Sequence, residues 1–185
     1  SAGTLAVEIA LPNALGGTVT FGSVSGSVDY GPCCAPNDAD GIAASGGGAA
    51  AISYRGIAGV EVPAARFLAG VFLDDSEPGA PAPAKLAITD TASTSLSPGI
   101  AQSFYIGDGL TGTGSGSVQV FDIPQGATRL FLGFHDSFNN LPGFFGDNSG
   151  ELSLQADITA VPLPAAAWLF LPAAGLAMRR RRARP

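Results

Sequence analysis

The stretch ELSLQADITA, Glu151 to Ala160, alternates without a break. Leu152, Leu154, Ala156, Ile158 and Ala160 fall on one side, and Ser153, Gln155, Asp157 and Thr159 on the other. A period of two gives one apolar and one polar face only in an extended strand; a helix would scatter the same residues around its circumference. The pattern therefore predicts a strand with one side on a core and the other in water, as in an antiparallel sheet.

The same period recurs along the chain. ATRLFLGFHD (127–136) sets Leu130, Leu132 and Phe134 on one face. TVTF (18–21) joins Val19 to Phe21, but after Gly22-Ser23 the apolar set moves to Val24, Val28 and Tyr30. That change of parity predicts a bulge or bend at the glycine. LAVEIAL (5–11), AAISYRGI (50–57), ARFLAGVFLDD (65–75), KLAITD (85–90), QSFYIGDG (102–109) and GSVQVFDIP (116–124) read as further strands, with 31–48 and the Pro-rich 76–84 as connections. About eight strands without an amphipathic helix predict an all-β fold, a two-sheet jelly-roll-like β-sandwich. It is expected over residues 1–160, with 161–185 as a separate C-terminal segment containing an apolar helix.

Composition agrees. The 185 residues suffice for one domain with its own core. The 46% hydrophobic content argues against disorder, although only 13% of residues are charged. Five of the nine basic residues crowd the last seven positions, leaving 15 acidic and 4 basic residues elsewhere, a net charge of −11. Such a body repels nucleic acid and suits cations. The first residue is Ser1, which is read as a removed signal peptide or a fragment. The two cysteines are adjacent, Cys33 and Cys34; they form a vicinal disulfide, remain free thiols or link molecules.

From Val161 to Met178 no residue is charged. As a helix this run would span about 27 Å, close to a bilayer's hydrocarbon thickness. Arg179, Arg180, Arg181 and Arg182 would hold its far end on the cytoplasmic side. The order Val161-Pro162-Leu163-Pro164-Ala165, an apolar span and a terminal arginine run resembles the PEP-CTERM sorting signal in its VPLPA variant. The resemblance implies export, transient anchoring in the inner membrane, processing by an exosortase, and a mature protein at the cell surface or in the extracellular matrix.

The loop 135–150 is too long and too polar for a simple hairpin turn. Side-chain oxygens gather at Asp136, Asn139, Asn140, Asp147 and Asn148, and Pro142-Gly143 can turn the 140 end back toward 147–148. Calcium takes six to eight oxygens from carboxylates, amides and carbonyls, whereas a solvated turn would spend the same groups on its own backbone. There is no EF-hand spacing, and no His or Cys set suited to zinc.

GATRLFLGF followed by LPGFFGDNSGELSL resembles the end of the calcium-dependent, galactose-specific bacterial lectins, and DYGP (29–32) resembles their Tyr-Gly-Pro. The resemblance implies a small jelly roll in which one Ca2+ bridges protein and sugar. The implied metal ligands are Asn140, Asp147 and Asn148 by side chain, with Tyr30 and Phe144 by backbone carbonyl. Asn140, Leu141, Phe144, Asp147 and Asn148 would contact the sugar. The family usually has Asp where this chain has Asn140 and Asn where it has Asp147, so one carboxylate is kept and relocated. The family's His-Pro-x-Gln sugar contact is not visible.

The expected function is calcium-dependent carbohydrate binding, with galactosides or a matrix polysaccharide as partner and no reaction catalysed. The alternative is a structural matrix protein in which calcium only stiffens the loop. Asp74, Asp75 and Glu77 read as solvated carboxylates and His135 as a polar loop residue. Of Phe144 and Phe145, one is available to pack beneath the site and the other to stack on a sugar. No nucleophile–base or metal-hydrolase motif occurs.

Overall fold

The computed structural model describes residues 6–12, 16–31, 35–43, 49–138, 141–143 and 145–161. Its two main sheets use eight strands: β1 Val7–Ala10, β2 Gly17–Asp29, β3 Leu68–Leu73, β4 Ser95–Leu96, β5 Ser103–Tyr105, β6 Val120–Ile123, β7 Arg129–Phe134 and β8 Ser149–Ala160. One sheet has the order β1-β7-β3-β5 and the other β8-β2-β6-β4. The chain changes sheet at each step between them, so none of the eight is hydrogen-bonded to its neighbour in sequence. The pairs are antiparallel except β6 with β4. The protein is an all-β sandwich.

Alternation fixes which residues enter the core. Val19 and Phe21 are buried, and beyond Ser23, which has a φ of 52°, Val28 and Tyr30 take over. Opposite this point the β8–β2 register slips between Ser153 and Gln155, so the parity change is a bulge on β2. Leu152, Leu154, Ala156 and Ile158 of β8 are partly buried against the core.

Aromatic rings tie the sheets together. Phe104 of β5 lies 5.2 Å from Phe72 of β3 within its own sheet, and 5.5 Å from Phe121 of β6 in the other. Phe121 in turn meets Phe21 edge-on at 5.4 Å, a favoured quadrupole geometry. Gly70 makes room for this stack: a Cβ there would stand 2.5 Å from Cζ of Phe104.

Local propensity was overridden in several places. Residues 50–57, expected as a strand, hold instead a tight hairpin tip, where Tyr54 and Ile57 exchange backbone hydrogen bonds at 2.9 and 3.0 Å. Arg55 and Gly56 between them have φ of 49° and 81°, the primed turn that matches strand twist. Of 85–90 only Leu86–Ala87 pairs. Residues 116–124 divide into Ser115–Val118, which pairs with Leu110–Gly112, and β6. β4, only two residues long, carries no alternation to read. Pro162, Leu163, Pro164, Ala165 and the arginine cluster lie outside the described residues, as do Cys33 and Cys34. Among the described residues no helix is long and apolar enough to cross a membrane.

Candidate metal centre

β2 ends where β8 begins, with Asp29 opposite Ser149. This register brings the segment after β2 beside the segment before β8. Gly31 has a φ of 81°, open to glycine, and a Cβ on it would lie 3.2 Å from Oδ2 of Asp147. The peptide joining Tyr30 to Gly31 therefore borders the Asp147 carboxylate. Asp147 closes a short 3-10 turn, Phe145–Asp147, and the Asn148 N–H donates to the Phe145 carbonyl at 3.4 Å.

The oxygen-rich loop is folded within itself. Ser137–Phe138 pairs with Leu141–Pro142, and the Gly143 N–H donates to the Asp136 carbonyl at 3.4 Å. The Asp136 carboxyl is pushed up, first by burial and also by the Asp147 charge, while a hydrogen bond from Asn148 opposes the shift. Asp136, Asp147 and Asn148 thus form one group. The Asn148 Oδ1 atom is buried without a hydrogen-bond partner among the described residues, as is one oxygen of Asp29. Burying an acceptor unpaired costs free energy, which a cation would recover.

Tyr30 is buried, its ring 5.5 Å from Phe134 and its other surroundings set by Arg66, whose guanidinium carbon lies 4.2 Å from the ring centroid. Burial pushes the phenol well above its ordinary range, with Arg66 opposing. Arg66 also pulls the Asp136 carboxyl down, so a fixed positive charge stands at the edge of the oxygen group.

Of the implied ligands, Tyr30, Asp147 and Asn148 are brought together, while Asn140 and Phe144 lie outside the described residues. Leu141 and Phe145 are exposed, at 48% and 38%. Among the described residues no group of three or more His, Cys, Asp or Glu side chains is placed to hold a metal. What stands here is a mixed set: the electrostatically coupled carboxylates Asp136 and Asp147 and the Asn148 amide, with the Tyr30–Gly31 peptide bordering Asp147. All are hard oxygen donors, the chemistry calcium accepts. A groove of about 570 Å³ adjoins it, lined by His135, Asp136 and Phe145 and also by Tyr54 and Phe131.

His135 lies in the loop directly after β7, as expected, but its ring is packed rather than solvated. Its ring lies parallel on Phe67 at 4.7 Å, and both ring nitrogens are buried without partners among the described residues. Burial holds its pKa below the ordinary value. The unfolded chain therefore binds a proton that the folded one resists, and stability must fall as pH drops through about 6.5 toward the folded value. Asp136 acts oppositely: its raised carboxyl favours folding in acid and loses that contribution as pH rises through its folded value. His135→Phe, which keeps a ring on Phe67, should flatten the decline below about pH 6.5 in chemical-denaturation curves. An unchanged slope would remove His135 as its cause.

Several other acids have structural partners. Asp40 Oδ1 accepts from the Tyr105 hydroxyl at 3.0 Å and the Asp108 N–H at 2.8 Å. Asp108 accepts from the N–H groups of Leu110 and Gly114 at 2.8 and 2.6 Å. Asp74 accepts from Ser76, and Asp75 from the Thr128 hydroxyl at 2.6 Å. These bonds brace loops.

Sequence reasoning missed Arg66 and the Asp29 carboxylate. Asp29 precedes Tyr30 in the DYGP stretch and strand register would have placed it; for Arg66 no local signal exists. No protein-family model, curated protein or solved structure matches the chain.

Proposed function

We propose that this chain is an exported surface or matrix protein whose sandwich binds carbohydrate through a calcium ion. Tyr30, Asp147 and Asn148, completed by Asn140 and Phe144, would hold the ion and leave positions open to vicinal sugar hydroxyls. The observation that carries the reading is the meeting of Gly31 with Asp147, two positions remote in sequence and each adjoining implied ligands. The buried Asn148 oxygen, unpartnered among the described residues, supports it, as does exposed Phe145 in the lining of the groove. Processing by an exosortase after transient anchoring in the inner membrane rests on the tail alone.

Isothermal titration of the chain with calcium, then with a panel of monosaccharides in calcium, tests the proposal. Heat with calcium followed by chelator-reversible sugar binding is expected. Calcium binding that raises the melting temperature with no glycan bound would favour the stiffened matrix protein, and absence of calcium binding would end both readings.

A further inference from the structure

Strands β3 and β7 are apolar on both of their sides, Arg129 excepted. Leu68, Phe72, Leu130 and Leu132 enter the core. The opposite parity sets Leu73 against Arg129, Val71 against Phe131 and Ala69 against Gly133 on the outer side of the sheet. An antiparallel sheet commonly turns a polar face to water, and a strand apolar on both sides signals a cover on both. Residues 51–60 supply part of that cover. Their Ile52, Tyr54 and Ile57 line the groove of about 570 Å³ together with Val71, Phe131 and Gly133. Ala69 and Gly133 are the smallest pair of the ladder, and a Cβ on Gly133 would meet nothing nearer than Ala6, at 4.0 Å.

We propose that the occupant of this groove, when the full chain is in water, is the chain's own apolar run up to Met178, which lies outside the described residues. Its point of departure favours it. β8 ends with Ala160 opposite Gly17, and Gly17 is also opposite Ile123, the last residue of β6. A short connection, 124–128, leads from there to Arg129 at the start of β7. Val161, whose N–H donates to the Gly16 carbonyl at 3.4 Å, therefore leaves the sandwich at the end where Leu73, Asp75 and Arg129 line the groove. Length fits as well. Packed sheets lie about 10 Å apart, and Pro162 to Ala165 reach about 13 Å when extended. Residues 166–178 then need about 20 Å as a helix, and the floor from Arg129 to His135 runs about 20 Å along β7.

Charge follows the same direction. No residue from Val161 to Met178 is charged, as an apolar floor requires, and Arg179 to Arg182 come only after it. They arrive at the far end of the groove, where Asp136 is in the lining and Asp147 is coupled to it. Asp29 and Glu151 belong to the same end of the sandwich, and together the four carboxylates outnumber Arg66. Opposite charges at that end fix the direction in which the run lies, while apolar contact along the floor supplies the driving force. In this place the run is shielded from water yet still able to pass to a bilayer, so groove and membrane compete for it.

Trp168 is the chain's only tryptophan and lies within the proposed occupant. The test uses the full chain with Cys33→Ser and Cys34→Ser, in detergent-free buffer at nanomolar concentration. Ile52→Cys, at an exposed position in the groove lining, carries bimane, a fluorophore that tryptophan quenches only on close approach. Bimane emission should rise severalfold when Trp168→Phe removes the quencher. It should rise equally with Gly133→Leu, which fills the floor from a strand position with open space at its Cβ, while circular dichroism is retained. Bimane on Val118→Cys, exposed and outside the groove, should respond to neither change. Absence of quenching at position 52, quenching indifferent to Gly133→Leu, or equal quenching at position 118 would overturn the proposal. Quenching that grows with concentration would overturn it too, because the occupant would then be a second copy.

Discussion

Asp147→Ala is expected to weaken calcium binding by about 100-fold or more, since loss even of groups outside the coordination sphere commonly costs 10–100-fold. Sugar binding should vanish with it. Without calcium the same substitution should leave the fold intact and lower the Asp136 pKa, because part of the upward pressure on that carboxyl is the Asp147 charge. A titration of Asp136 by NMR reads this directly. The resemblance supplies a sharper form of the experiment. Asp147→Asn alone removes the carboxylate from the implied ligand set, and Asn140→Asp alone adds a second. Together they restore one carboxylate at the position the lectins usually use, and affinity should return to within a few-fold of wild type. Recovery in the double variant ties positions 140 and 147 to one ion. If both singles and the double bind alike, the carboxylate has no role and the proposed centre is wrong.

Phe104→Ala should lower the unfolding free energy by about 3–5 kcal/mol, the usual cost of emptying a buried aromatic site. Phe104 has no exposed surface and contacts rings in both sheets, so little can collapse into the space. Gly70→Ala alone should destabilise by about 1–3 kcal/mol through overpacking, because its new Cβ meets Phe104 and Ile106. In the Phe104→Ala background the same Cβ enters vacated space, and its effect should fall to near zero or change sign. Urea denaturation of the four proteins gives this coupling. Simple additivity would mean that Gly70 is required for some reason other than the Phe104 ring.

The strands that proved legible were those with alternation long enough to define a face. β8 and β7 could be read directly, and the bulge on β2 showed itself because Val19 and Phe21 are odd-numbered whereas Val28 and Tyr30 are even. β4 was illegible because two residues have no period, and 50–57 misled because its apolar residues cover a groove from a hairpin tip. At the candidate site, Asp136, Asp147 and Asn148 stood out as oxygens crowded into one loop. Tyr30 joined them only through the motif around it. The stacking of His135 on Phe67 and the approach of Arg66 to Tyr30 depend on how distant segments meet, and no local pattern encodes that.

The alternation of strands between sheets bears on how the chain acquires its shape. No hairpin of consecutive main strands can form early and wait for the rest, so each principal ladder closes a long loop and the mean contact order is high. The β2–β8 ladder is the extreme case, joining Gly17 to Ala160. Until residues 149–160 arrive, β2 lacks a neighbour on one side. A chain built this way stays threadable until almost all of it has been delivered. For the exported protein proposed above, that delay would keep a stable sandwich from forming before passage through the membrane.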